Sequence, residues 1–418
     1  MLKQIKILPV SLYLFSAGWL GSAISLLGSV LLVGWSLVHL RQVLRDLSGC
    51  KLCWLSLLAI GYLLLHFYFL DSGIELQKPS KQLKGHIILW LFPLIGYAIY
   101  RSKVPVRWLL LAAAVGLILR IVVHTDWMHF SAFIKARQGF GLAIIGLGLY
   151  AGITMVGLFI FIRRFWRVHE KAAVFRITIW WLMVIFAAFG WLLALSRGAW
   201  VATFCGLIVA LILWLRAYDV KSALKQHRGI WVSAAILVVL FSTLGYAKFI
   251  DRLFTESDVY ADVLSLDRDR IPYSSVGTRV HMLIYGAEKW RERIWLGWGQ
   301  GSTRTILDQD TGLGKWPHFH SSYIQILVEL GLLGFMLYAT ALALMLGGLW
   351  RLFRSDNMPL DVFIFLTTAW VMVLVWSLFD TRMVHVDERF LLLMLSATGF
   401  SYILRQTLPD LSITEEKN

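Results

Sequence analysis

Uncharged apolar runs alternate with short charged breaks along the chain, at about 7–40, 52–70, 85–100, 108–124, 141–162, 177–195, 199–215, 230–249, 322–350, 359–379 and 390–404. Most have the length a helix needs to cross ~30 Å of hydrocarbon at ~1.5 Å per residue. The first run is too long for one crossing. Gly21, Ser22 and Ser25 interrupt it, so it reads as a tight hairpin. The pattern predicts an all-α polytopic membrane protein with about twelve transmembrane helices. It divides into N-terminal membrane helices over 1–249, one large loop over 250–321, C-terminal membrane helices over 322–405 and a short polar tail over 406–418.

Charge fixes the expected orientation. Alternate loops carry Arg41/Arg45/Lys51, Arg101/Lys103/Arg107, Arg163/Arg164/Arg167/Lys171/Arg176, Arg216/Lys221/Lys225/Arg228 and Arg351/Arg354, with few acids. By the positive-inside rule these loops are cytoplasmic, as are both termini, and the 250–321 loop lies outside. That loop contains TRVHMLIYGAEKWRERIW, with apolar residues at Val280, Leu283, Ile284, Ala287 and Trp290. This is helical spacing opposite a charged face, suited to a bilayer surface or to packing on the spans. The glycine-rich LGWGQGST follows. A dinucleotide fingerprint needs a preceding strand, and none is predicted.

Composition agrees with the pattern. The 418 residues are 58% hydrophobic, with a mean hydropathy of +0.69, more than a soluble domain requires. The formal charge of +15 resides in membrane-flanking loops, so no nucleic-acid partner is expected. Three cysteines offer no disulfide framework, and Cys50/Cys53 form a single CKLC without a second pair. MLKQIKILPV enters an apolar stretch without an A-x-A-like site, so no cleaved leader is expected.

In such a chain the informative residues are ionisable groups at membrane depth or at the outer rim. Arg197, in LALSRGAWVATF, sits in a very tight outer turn beside Gly198. It reads either as a snorkelling arginine or as a ligand-facing one, and Arg120 in LILRIVVH reads as snorkelling. Arg137 and Arg279 are further outer-face arginines. Several outer arginines without matching carboxylates point to an anionic ligand, because the planar guanidinium fork suits phosphate oxygens. His318 and His320 head a long apolar run. They read as half of a metal site, as interfacial aromatics beside Trp316 and Phe319, or as a source of a general base. Metal binding needs three or four ligands, and no Cys or acidic cluster lies nearby in sequence, so no metal is expected. Ser321, Gln325 and Glu329 recur every four residues and form one polar stripe, expected to line a cavity, with Glu329 orienting a neighbour or holding a helix in place.

These residues resemble the bacterial O-antigen ligase and polymerase superfamily. The signature reads His318-Phe-His320-Ser-Ser-Tyr323-Ile-Gln325, then Glu329-Leu-Gly331 and Gly334. Ser196-Arg197-Gly198 resembles the family's S/T-R-[AG] turn. Arg279 with the Gly297/Gly299/Gly301 exit resembles its arginine-to-glycine segment, and Asp380 in SLFDTR matches an outer acidic position. The resemblance covers residues 190–340 closely and the remainder by topology. Ser321 stands where the family usually has asparagine, and the proline usual before the glycines is absent. The resemblance implies a GT-C-type glycosyltransferase in the bacterial inner membrane, acting at the periplasmic face without cofactor or metal. Its partners would be membrane lipids, an undecaprenyl-pyrophosphate-linked glycan donor and a lipid A-core acceptor. His320 would be the catalytic base. Arg197, Arg279 and Arg137 would bind the pyrophosphate, with His318, Ser321, Gln325, Glu329 and Asp380 in support.

Two other functions share parts of this pattern. A polymerase or a protein O-oligosaccharyltransferase of the same superfamily would use the same residues, and the single large loop favours ligation. A lipid-glycan flippase or transporter would place charges near mid-membrane and show repeat symmetry, whereas here the charges gather at one face and no repeat is visible.

Overall fold

The computed structural model describes residues 22–104, 106–165, 173–217, 250, 254, 259, 262–263, 270–310, 312–314, 316–381, 383 and 386–408. Among them no strand occurs and the chain is helical. The apolar runs become α1 (Ser22–Val38), α2 (Leu40–Leu47), α3 (Lys51–Phe69), α4 (Pro79–Leu89), α5 (Phe92–Ser102), α6 (Val106–His124), α7 (Phe130–Phe133), α8 (Ile144–Ile160), α9 (Ile162–Phe165), α10 (Ala173–Leu193) and α11 (Arg197–Ala217). The second half contributes α12 (Ser275–Glu292), α13 (Ser302–Asp308), α14 (Ser322–Arg354), α15 (Leu360–Trp376) and α16 (Val386–Thr407).

Five stretches among the described residues are long and apolar enough to cross a membrane, or six if α1 and α2, bent by 83°, count as one. Shorter apolar helices are Trp108–His124, Ile144–Ile160 and Leu360–Trp376. Large apolar side chains on α3, including Trp54, Leu57, Leu58 and Leu65, face outward, as expected of a surface solvated by lipid. The chain is a multi-pass membrane protein, and the described residues account for five or six such helices of the twelve expected. Residues 1–21 and 218–249 lie outside the described residues, and with them the N-terminal half of the expected hairpin, the expected 230–249 span and the basic residues Lys221, Lys225 and Arg228. Most of 251–269 and the tail beyond residue 408 also lie outside. The serines expected to break the first run, Ser22 and Ser25, are helical within α1.

Two apolar cores hold the bundle. α6, α8, α10, α11 and α15 enclose Leu117, Leu147, Trp191, Trp200, Met372 and Trp376. α1, α3, α4, α5 and α16 enclose Leu63, Ile95, Tyr97 and Phe400. Small residues let the helices close on each other: a Cβ at Gly206 would sit 2.5 Å from Met372 Cγ, and one at Gly96 would sit 2.7 Å from the Ala397 carbonyl. A smaller cluster surrounds Trp180, and the loop has a core of its own, where Met282, Ile306, Leu307 and Leu313 close over Phe319 and Val328.

The face of α12 that buries differs from the expected stripe. Gly277, Thr278, His281, Met282 and Gly286 turn inward, while Leu283 is 37% exposed. The reason is steric. Gly286 lets α12 approach α14 so closely that a Cβ there would lie 2.3 Å from Ile324 Cγ2.

The long helix α14 is broken at Gly331, which has φ 65° and ψ −172°. Beyond the break, residues 332–354 reach about 34 Å, enough to cross the hydrocarbon, so residues 322–330 stand at its outer edge. The break frees peptide groups, and the segment after α12 takes them up. Trp298 and Gly299 N–H donate to the carbonyls of Val328 (2.8 Å) and Glu329 (3.1 Å). In return, Leu332 and Leu333 N–H donate to Ile294 (2.8 Å) and Trp295 (3.2 Å). Tyr62 Oη donates to the Leu330 carbonyl at 2.6 Å, and His66 Nε2 bonds the Leu296 carbonyl at 2.7 Å. The glycines of LGWGQGST follow from this geometry. Gly297, Gly299 and Gly301 all have positive φ, and a Cβ at Gly297 would meet the Val328 carbonyl at 2.5 Å.

At Gly331 a side chain would be strained twice, by φ and by the Trp295 carbonyl 2.3 Å from its Cβ. Gly331→Ala is expected to cost about 1–3 kcal/mol, read as a lower midpoint of heat-induced aggregation in detergent. Gly347→Ala, whose Cβ would meet nothing within 4 Å in the same helix, is expected to leave that midpoint unchanged or slightly raised.

Candidate functional site

The loops at one end of the bundle converge on the start of α14. Phe319 is fully buried in the loop core, and His320 adopts a left-handed φ of 51°. This turn brings the flanking rings of His318 and His320 together, edge to face with centroids 4.3 Å apart, and Trp316 packs edge-on at 5.1 Å from His320. The His320 N–H donates to His318 Nδ1 at 3.3 Å.

Asp380 reaches the same place from the segment after α15. Its side chain is fully buried, and its Oδ1 lies 3.4 Å from His320 Nδ1. The carboxylate is oriented by the Thr381 N–H, donating at 2.9 Å. The segment and the end of α15 are fastened to α14 by three further bonds. Ser322 Oγ donates to the Asp380 carbonyl at 3.1 Å, Ser322 N–H to the Ser377 carbonyl at 2.9 Å, and Tyr323 Oη to the Leu374 carbonyl at 2.8 Å. A contact of 3.4 Å is long for a hydrogen bond, yet within the looseness found where an active site has no substrate to tighten it.

The Ser196-Arg197-Gly198 turn joins this centre through Phe379. A Cβ on Gly198 would come within 2.9 Å of Phe379 Cβ, so the turn lies against the residue preceding Asp380. Ser196 Oγ accepts the Ala199 N–H at 3.4 Å, and Leu195 has a φ of 43°; both shape a tight entry into α11 with Arg197 as its first residue. Arg137 docks on the same turn, its Nε donating to the Ala194 carbonyl at 3.3 Å. Arg120 is buried and does not snorkel. Its Nε and Nη2 donate to the carbonyls of Phe140 (2.8 Å) and Gly141 (2.5 Å), which fixes the loop that carries Arg137. Nearby, the Asp126 carboxyl is held below the usual carboxylate range by the backbone N–H and ring of His129. Arg279 sits on α12, where its Nη1 bonds the Ser275 carbonyl and hydroxyl one turn back, each at 3.2 Å.

Two members of the polar stripe, Gln325 and Glu329, turn toward α13. Glu329 is buried, and its Oε1 accepts from Gln325 Nε2 at 2.6 Å and from Thr303 Oγ1 at 2.8 Å. Gln325 Nε2 also donates to Thr303 Oγ1 at 2.6 Å. The stripe therefore binds α14 to α13. Thr303 was missed from sequence because it belongs to no periodicity of α14 and meets it only across the loop. The adjacent helical face lines a cavity of about 240 Å³, with Ser322, Tyr323, Ile326, Tyr338, Trp370 and Ser377 in its wall. It is mostly apolar, and through Ser322, which bonds the Asp380 carbonyl, its wall adjoins the segment that carries Asp380.

Residues 181–339 match the family model for O-antigen ligase. This stretch is similar to the O-antigen ligase family. No curated protein matches the chain. The O-antigen ligase stretch contains Arg197, Arg279, His318, His320, Ser321, Gln325 and Glu329, while Asp380 and Arg137 lie outside it. That similarity points to the glycosyltransferase-like ligase and polymerase superfamily, whose substrates are in general a lipid-linked glycan and a lipid acceptor. Chemically, the site offers an imidazole facing a buried carboxylate, with the Arg197 turn packed against the neighbouring Phe379 and an apolar cavity adjoining the same segment.

His320 Nδ1 faces the Asp380 carboxylate, an arrangement that would favour the proton on Nδ1 and leave the Nε2 lone pair to accept another. Asp380→Asn is expected to lower turnover roughly 10²–10⁴-fold with little change in apparent donor affinity. In steady-state assays, the double variant His320→Ala/Asp380→Asn should be no slower than His320→Ala alone, because the carboxylate acts through the imidazole. Additive losses would place Asp380 in a separate role.

Proposed function

We propose that this protein is an O-antigen ligase. It transfers a glycan from undecaprenyl pyrophosphate to a sugar hydroxyl of lipid A-core at the periplasmic face of the inner membrane. The observation that carries this reading is the 3.4 Å approach of buried Asp380 to His320, in a segment that also meets the Arg197 turn and adjoins the apolar cavity. His320 Nε2 takes the acceptor proton as the hydroxyl oxygen attacks the anomeric carbon. The bond from that carbon to the pyrophosphate oxygen breaks on the opposite face. Undecaprenyl pyrophosphate leaves with the bonding pair, and the anomeric configuration inverts.

The leaving group is already activated, so the protein's work is to neutralise its growing charge and to free the hydroxyl of its proton. Arg197 and Arg137 supply guanidinium forks at one turn, and Arg279 supplies a third from the loop helix. The apolar cavity receives part of the polyprenyl chain. No step calls on a metal, and the reaction is of the GT-C type.

Charge distribution supports the orientation. α6, α10 and α15 end, and α11, α14 and α16 begin, at the site end, whereas Lys51, Arg101, Lys103, Arg164, Arg216, Arg351 and Arg354 flank the opposite ends of these and neighbouring helices. By the positive-inside rule that opposite end is cytoplasmic and the site periplasmic.

Reconstitution with undecaprenyl-pyrophosphate glycan and lipid A-core is expected to consume the core acceptor. Growth of the donor glycan with the core left unmodified would instead identify a polymerase. His320→Ala is expected to abolish transfer, and unchanged product would end the general-base reading. Arg197→Ala and Arg197→Lys should both weaken donor use, since a point charge cannot replace a bidentate fork. Full activity of the lysine variant would remove bidentate binding from the mechanism.

A further inference from the structure

The residues around the proposed base hold a second possibility that the sequence neighbourhood of the histidines concealed. His318, His320 and Asp380 each offer one ligand atom, and the three atoms lie within 4.8 Å of one another. We propose that these side chains form an inhibitory site for a borderline-soft divalent ion of the Zn²⁺ class, which silences His320 by occupying its Nδ1. The proposal rests on the reading of His320 as the base.

The geometry suits such an ion. Zinc bonds of ~2.0–2.1 Å at a tetrahedral angle hold two ligand atoms about 3.3 Å apart, and His320 Nδ1 stands 3.4 Å from Asp380 Oδ1. The third ligand atom needs to close by about 1.5 Å at most to complete the set. His318 is only half-buried, and its Nδ1 accepts the long 3.3 Å bond from His320 N–H. Both better-placed ligands are fixed in advance. Asp380 is held by Thr381 N–H and through its carbonyl by Ser322, and His320 is held by the burial of Phe319 beside it. Two imidazoles and one carboxylate match the donor sets of zinc sites that keep a fourth position open. One oxygen among three ligands is a poor match for Mg²⁺ or Ca²⁺.

The effect on chemistry follows from tautomerism. A neutral imidazole carries one N–H. With Asp380 facing Nδ1, that proton stays there and Nε2 is free to accept. With a metal on Nδ1, the proton must reside on Nε2, which then donates and cannot act as a base. Carboxylate and metal thus compete for one nitrogen and set the opposite nitrogen in opposite states.

The test uses the full chain, purified in detergent and stripped with a chelator. Competition against a chromophoric chelator is expected to show a Zn²⁺ site that His318→Ala and Asp380→Asn each weaken at least ~10-fold. Glu329→Gln, outside the cluster, should leave it unchanged. Co²⁺ added to the wild type should give the intense visible bands of four-coordinate cobalt, an outcome that needs no variant to fold. Zn²⁺ should stop glycan transfer, and a chelator should restore it. Absence of Zn²⁺ binding, an affinity unchanged in His318→Ala, or only the weak bands of six-coordinate Co²⁺ would overturn the proposal. Because binding is read without turnover, those results leave the base reading standing; that reading fails separately if metal-free His320→Ala remains active.

Discussion

A helix broken at the edge of a bilayer leaves peptide groups with nowhere to bond unless other protein backbone supplies partners. The pairing of residues 294–299 with the break at Gly331 is that supply, and the outer half of the molecule depends on it. It lets α14 be two things at once. Beyond the break α14 is a membrane-crossing rod, and before it a short post that carries His320 at its head. The same bonds hold the end of α12 and the start of α13 against the post, and Thr303, Gln325 and Glu329 fasten the joint from the side. Without the break, a single straight helix would leave no backbone groups for the loop to bond, and the loop core over Phe319 would have no floor.

The site gathers its chemistry from stretches far apart in the chain. His320 comes from the head of α14, Asp380 from the segment after α15, Arg197 from the head of α11 and Arg137 from a loop clamped by Arg120. Each is placed by backbone that is itself bonded, so the polar atoms are set before any substrate arrives. This would matter for the proposed reaction, whose leaving group carries much charge. Dipoles and cations that need no rearrangement stabilise that charge at the least cost.

The helices could be read from the apolar runs, because a membrane helix must be apolar along its whole length and charged breaks mark its ends. The histidine pair and the Arg197 turn stood out for a related reason: polar residues among apolar ones are conspicuous. What sequence could not show was which face meets which. The inward face of α12 follows its small residues and not its largest apolar ones, because Gly286 governs how near α14 can come. The stripe of Gln325 and Glu329 turned to Thr303. Arg120 looked like a helix-end arginine reaching for water, yet two carbonyls of the 140–141 loop hold it inside. Asp380, a lone acid in a distant segment, could be associated with the histidines only by resemblance; its distance from His320 is a property of the fold.

Phe379 and Asp380 are neighbours in the chain. One lies against the glycine of the arginine turn, and the other faces the histidine. Consecutive Cα atoms are fixed at ~3.8 Å, so the interval between the two halves of the site is measured by a single peptide unit. Spans tilt when bilayers thicken or thin, and a gap set by the spacing of helices would drift with them. A gap set by one covalent link does not, which gives the enzyme a gauge that is indifferent to the membrane around it.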